Sequence, residues 1–136
     1  MPLYQTFYLS RPAAGLANHD IQQILLAARQ KNWRLNLTGC LLFSGQHFAQ
    51  VLEGPAEAVS SLLERLRRDP RHTDLRVLVT RPVPTRAYAD WAMGMVYALD
   101  QVDRLEALMT DAHTPAPAAI EFMAGMEVDS LMGPLS

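Results

Sequence analysis

Apolar residues recur along the chain with two different spacings, and the switches between them mark out its elements. "PLYQTFYLS" (2–10), rich in aromatic and β-branched residues, predicts a first strand. After the loop "RPAAGLAN", "HDIQQILLAARQKN" (19–32) places Ile21, Ile24, Leu25 and Ala28 at i, i+3, i+4 and i+7, an amphipathic helix that Asn18 or Asp20 could cap. "LNLTGCLLF" (35–43) predicts a second strand, apolar on both faces, and "SGQ" (44–46) a tight turn into a third strand over 47–53. Pro55 suits the first turn of a second helix, and Glu57 complements its positive end. The stripe of that helix is Val59, Leu62, Leu63 and Leu66, and it stops at "RRDP" (67–70). "TDLRVLVTRPV" (73–83) and "DWAMGMVYAL" (90–99) predict a fourth and a fifth strand.

The order βαββαββ contains the split βαβ arrangement, whose right-handed crossovers put both helices on one sheet face. The expected class is α/β (α+β), a ferredoxin-like sandwich. Leu37, Leu41, Phe43, Val51 and Val77 are assigned to the opposite, also apolar, face. That face needs a cover. Two segments suit it: "QVDRLEALMTD" (101–111), with Val102, Leu105, Leu108 and Met109 on one stripe, and "PAPAAIEFMAGM" (115–126). The chain then divides into an α/β domain over 1–98 and a C-terminal helical cap and tail over 99–136.

Composition adds mainly exclusions. A chain of 136 residues with net charge −2 offers no broad electrostatic attraction for nucleic acid or an anionic membrane. Cys40 stands alone, which excludes an intramolecular disulfide and a cysteine-rich metal site. His19, His47, His72 and His113 are scattered without metal spacing, so no metal is expected. The start lacks a signal-peptide pattern, and no apolar run reaches the roughly 18 residues of a membrane span, so a cytoplasmic protein is expected. GxGxxG, Walker, GxSxG and HExxH motifs are all missing.

The informative stretch is "HFAQVLEGP" (47–55). Alternation puts Phe48, Gln50 and Leu52 on one face of the strand. A buried amide without a partner costs about 1–3 kcal/mol, so Gln50 either faces water or meets something polar inside. Tyr8 sits in the first strand, Asn32 closes the first helix, and Arg65 and Asp69 lie four apart at the end of the second. Each has an ordinary reading: a core tyrosine, a helix C-cap, a complement to the helix dipole, a helix stop. Taken together, amide, hydroxyl, guanidinium and carboxylate groups between two helices and a sheet suit a flat, polar-edged ligand sandwiched by Ile24 and Leu66.

"NWRLNLTGCLLFSGQHFAQVLEGP", "LRRDPRH" and "DWAMGM" closely resemble the BLUF family of blue-light receptors that bind flavin. The likeness runs from Leu3 to about Met95. It implies non-covalently bound FAD, with Ile24, Lys31, Asn32, Phe48, Gln50, Arg65, Leu66, Asp69 and His72 as its binding residues. It makes Tyr8 the donor of an electron and a proton to the excited flavin, and Gln50 the bridge whose amide rotates or changes tautomer. Trp91 and Met93 match the pair near the glutamine, with the neighbour of Gln50 left open between them. Lys31, Ala28 and Trp33 depart from the family pattern, and Trp33 introduces a competing electron donor near the site.

The resemblance implies a short stand-alone sensor rather than an enzyme, signalling through a downstream protein or a change in homo-oligomer. Without a glycine-rich phosphate loop, recognition should centre on the ring, so that FMN or riboflavin can substitute for FAD. The rival readings are a small flavoenzyme and a light-insensitive interaction module. Met109, Met123 and Met126 suggest a C-terminal cover able to repack and carry a signal arriving along the fifth strand.

Overall fold

The computed structural model describes residues 2–89, 93–111 and 116–125. Its elements are β1 (Leu3–Pro12), α1 (Asn18–Leu35), β2 (Thr38–Phe43), β3 (Phe48–Pro55), α2 (Ala56–Arg67), β4 (His72–Val83), β5 (Gly94–Tyr97), a short 3₁₀ turn (Leu99–Gln101), α3 (Val102–Thr110) and α4 (Ala116–Ala124). The strands form one sheet in the order β4-β1-β3-β2-β5. All neighbours are antiparallel except β2 and β5. This is the expected βαββαββ sandwich, with C-terminal helices on the second face.

Strand parity sorts the core into two clusters. Tyr8, Leu41, Phe43, Phe48 and Leu52 pack with Ile21 and Leu25 of α1 and with Met93, and Leu62, Leu63 and Leu66 of α2 close the layer. On the other face Phe7, Leu9, Cys40, Leu42 and Val51 meet Leu105, Leu108 and Met109 of α3 and Ala119, Phe122 and Met123 of α4. Leu41, Phe43 and Val77 therefore lie beneath α1 and α2, not under the C-terminal cover to which the sequence pattern assigned them. A strand apolar on both faces has no period-2 signal, so only its pairing decides which residues point where.

Two local readings change with the observed helix ends. Asn32 does not end α1; the helix runs on to Leu35, and Asn36 takes the left-handed cap at φ 58°. The Asn32 carbonyl closes that end by accepting the Leu37 N–H at 2.9 Å. At the other end Asp20 accepts the Ala17 N–H at 2.8 Å. Asp69 lies beyond the end of α2 at Arg67. Within "TGC", Gly39 lets β2 approach β3 closely: a Cβ there would clash with the Val51 carbonyl oxygen.

Charged side chains fasten α3 to the sheet. Arg11 of β1 donates two bonds to the Glu106 carboxylate, at 2.8 and 2.7 Å. Glu106 also meets Nε2 of the buried His47 at 2.5 Å, while Nδ1 of that ring faces the Ser44 hydroxyl at 3.0 Å. Arg76 of β4 donates to the Leu108 and Met109 carbonyls at the C-terminal end of α3. The Arg11 and His47 bonds hold the Glu106 carboxyl at about 2, below its ordinary 4.5. A depressed carboxylate stabilises the fold above its unfolded pKa and loses that contribution as pH falls through its folded one. Glu106→Gln should therefore lower stability near neutral pH, and the gap from the parent should close as pH drops from 4.5 towards 2. Urea midpoints measured across that range test it; a gap independent of pH would remove the ion pair as its cause.

Candidate functional site

Register builds the centre of the site. Tyr8 of β1 and Leu41 of β2 both stand directly opposite Gln50 of β3. Three adjacent strands thus present hydroxyl, amide and isobutyl groups in one row towards α1 and α2. The Tyr8 hydroxyl donates to Gln50 Oε1. Gln50 Nε2 donates to Met93 Sδ at 3.3 Å. Both ends of the buried amide are thereby engaged, which answers the polarity problem posed by its place between Phe48 and Leu52. A thioether is a weak acceptor, and a primary amide has two lone-pair sites and two N–H groups. Further hydrogen-bonding capacity remains on Gln50 for a ligand.

A cleft with a cavity volume of about 90 Å³ opens beside this row. Its floor is Tyr8, Leu41, Phe48 and Gln50 from the sheet. Ile24, Ala28, Lys31 and Asn32 line it from α1, and Leu62 and Leu66 from α2. Arg71 and His72 complete the rim. Apolar walls with a few placed polar groups are the usual form of a small-molecule site. Asn32 is buried on the continuation of the Ile21–Ala28 stripe, one turn past Ala28.

Electrostatics at the site follow from burial. Burial pushes the Tyr8 phenol well above its ordinary pKa, and the Asp69 charge adds to the effect. The hydroxyl is therefore neutral at physiological pH. His72 Nε2 faces the Leu66 carbonyl, which can only accept, so this nitrogen carries the proton. In the neutral ring Nδ1 then accepts from the Ser10 hydroxyl at 2.8 Å. The His72 ring lies edge-on to Tyr8, with centroids 6.5 Å apart. Cys40 belongs to the opposite sheet face, and burial raises its thiol to about 12.

Of the residues expected from the sequence, Tyr8, Ile24, Lys31, Asn32, Phe48, Gln50, Leu66 and His72 come together around the cleft. Arg65 is exposed and is not part of the lining. Asp69 is not on it either, but grips Arg71, which is: its carboxylate takes the Arg71 Nε at 3.0 Å and Nη2 at 2.6 Å. Arg71 was missed in the sequence, although "DPRH" contains the signal, an acid two residues before an arginine. Met93 is the described neighbour of Gln50; Trp91 lies outside the described residues. Trp33 is 67% exposed and does not line the cleft. Among the described residues no cluster of three metal-ligating side chains occurs, and no helix is long and apolar enough to cross a membrane.

A family model described as sensors of blue-light using FAD (BLUF) matches residues 3–94. The photoactivated adenylate cyclase subunit beta of Euglena longa is 37% identical over 87 residues, 63% of this chain. Those residues span a tenth of that much longer protein. Among solved structures, the dark state of BlrB, a BLUF protein, superposes with TM-score 0.76 at 31% identity, over 90% of this chain and 93% of that one. Klebsiella pneumoniae BlrP1, solved with FMN and cyclic diGMP, gives TM-score 0.67 at 29% identity over 82% of this chain and 35% of its own.

Proposed function

This chain belongs to the BLUF family and is a blue-light flavin sensor, and we propose that Tyr8 and Gln50 form its photochemical switch, read out through Met93 and the C-terminal helices. The observation that carries this reading is the buried Gln50 amide, held between the Tyr8 hydroxyl and the Met93 thioether on the floor of an apolar cleft.

FAD is the cofactor, and Ile24 and Leu66 would hold its ring, with Asn32 and Gln50 as hydrogen-bonding partners. Arg71, steered by Asp69, and His72 guard the rim, and Lys31 stands at the mouth. When bound, flavin supplies the blue-light absorption and an excited state that takes an electron. The neutral Tyr8 phenol would supply that electron, and its proton would leave along the bond to Gln50 Oε1. An oxidised phenol is a strong acid, so the two losses are coupled. The amide offers both a donor and an acceptor, and can exchange one hydrogen-bond pattern for another of similar energy by rotation or tautomerisation. Met93 Sδ, on the donor end of that amide, senses which pattern is present. From Met93 the chain runs into β5 and on to α3, which lies against the far sheet face. A downstream protein or a second copy of the chain would read the change there.

The test is an absorption spectrum before and after blue light. The purified protein should be yellow, its flavin band should move reversibly to longer wavelength, and FMN or riboflavin should reproduce the shift after reconstitution. A band that stays fixed, or bleaches to stable reduced flavin, would remove the sensor reading of the switch.

A further inference from the structure

Met93 is fully buried beside Gln50, yet its own position must be fixed by something. Downstream the chain is held by β5, where Gly94 pairs with Cys40. Upstream, the buried Glu53 accepts the Ala87 and Tyr88 N–H groups, both at 2.8 Å. At Met93 itself, Arg29 of α1 donates from Nε to the main-chain carbonyl at 3.0 Å. Arg29 follows Ala28 and precedes Asn32 by one helical turn, and both of those residues line the cleft. The helix that would meet the flavin edge therefore also grips the backbone of the switch's neighbour.

We propose that Arg29 is a positioning residue for the Tyr8–Gln50 switch: its bond to the Met93 carbonyl sets the Met93 thioether against the Gln50 amide. The proposal rests on the switch reading above. Its geometry is a relay of two hydrogen bonds, Arg29 Nε to Met93 O and Gln50 Nε2 to Met93 Sδ, joined by one residue. Arg29 is poorly placed to serve stability alone. Its Nη2 is buried without a partner among the described residues. Burial lowers its pKa from the ordinary value, although a guanidinium remains charged. An apolar side chain of similar length avoids that desolvation, so Arg29→Met should keep the fold and the flavin.

Two readouts test the relay. The first uses protein labelled with carbon-13 at the methionine methyls, in the dark, with the Met93 signal assigned by its loss in Met93→Ala. Arg29→Leu, which adds no labelled methyl, should shift or broaden the Met93 resonance and leave those of Met109 and Met123, on the other sheet face, in place. Arg29→Lys, which keeps a cationic donor, should return it towards the parent position. Arg29→Gln, with a shorter neutral donor, is a second variant expected to displace it. The second readout is the dark recovery of the red-shifted band. Arg29→Met should change its rate about threefold or more, and the same substitution in a Met93→Ala background should change it little. An unmoved Met93 methyl, or a rate effect that persists in full without the thioether, would overturn the proposal. The methyl measurement needs no light, so a parent protein without a red shift would count against the switch while the Arg29 result still stood.

Discussion

Tyr8→Phe and Gln50→Leu should each keep bound flavin and lose the light-induced red shift altogether. Both side chains sit on the sheet floor of the cleft, and neither belongs to the Ile24 and Leu66 walls. Phenylalanine keeps the ring and its packing but has no hydroxyl proton to release. Leucine fills a similar volume but can neither accept from Tyr8 nor donate to Met93, the two bonds that Gln50 makes. Stability should change little in either case. Removing one partner of the buried pair orphans the other by about 1–3 kcal/mol, but a ligand edge is at hand, and Gln50→Leu replaces a polar group with an apolar one. The measurement is a light-minus-dark difference spectrum at equal flavin occupancy. A parental difference spectrum in either variant would take that residue out of the switch.

The second large effect is expected outside the cleft lining, at Glu53. This carboxylate is fully buried and accepts three bonds: from Gln5 Nε2 at 2.9 Å and from the main-chain N–H groups of Ala87 and Tyr88 at 2.8 Å each. Gln5 in turn accepts from Arg81 at 3.0 Å, so the network spans β3, β1 and β4. Arg86 seals the same corner through Thr38 Oγ1 and the Glu53 and Asn36 carbonyls, at 2.9, 3.0 and 2.8 Å. Glu53→Ala would leave three donors without their acceptor, those of Gln5 and Tyr88 in buried residues. Each buried donor left unsatisfied costs about 1–3 kcal/mol, so the loss is a large share of the stability of a small domain. Urea unfolding should show a loss of that order, and the variant should also hold the Met93 segment less firmly. A change below about 1 kcal/mol would mean that water or a shifted loop replaces the carboxylate.

These two sites differ in how far the sequence alone revealed them. Gln50 stood out because its neighbours at i±2 are apolar, a contradiction visible within five residues. Glu53 lies three positions later in the same strand and raised no such alarm. Its partners, Ala87 and Tyr88, are more than thirty residues away, and two of its bonds come from main-chain N–H groups that carry no residue signature.

Arg71 and Met93 show the same limit. An acid followed by a basic residue in a turn reads equally well as solvated surface, and only the packed rim shows Asp69 steering Arg71 towards the cleft. Met93 was narrowed to one of a pair by family likeness. Its role as the acceptor of Gln50 Nε2 depends on the β2–β5 pairing and on Arg29, some sixty residues upstream.

The sequence by itself determined the element order, the helical stripes that bury Ile21, Leu25 and Leu66, the presence of a C-terminal cover, and the set Tyr8, Asn32 and Gln50. Each of these rests on periodicity within one element or on a polar residue out of place in an apolar one, and both are local properties of the chain. The tertiary structure alone decided which face of β2 carries Leu41 and Phe43, that Tyr8 stands directly across from Gln50, that α1 runs on to Leu35, that Arg29 bonds the Met93 carbonyl and Glu53 the Ala87 and Tyr88 N–H groups, and that Arg71 lines the cleft. A strand buried on both faces has no alternation to read, and a hydrogen bond between residues forty positions apart exists only once the register that brings them together has formed.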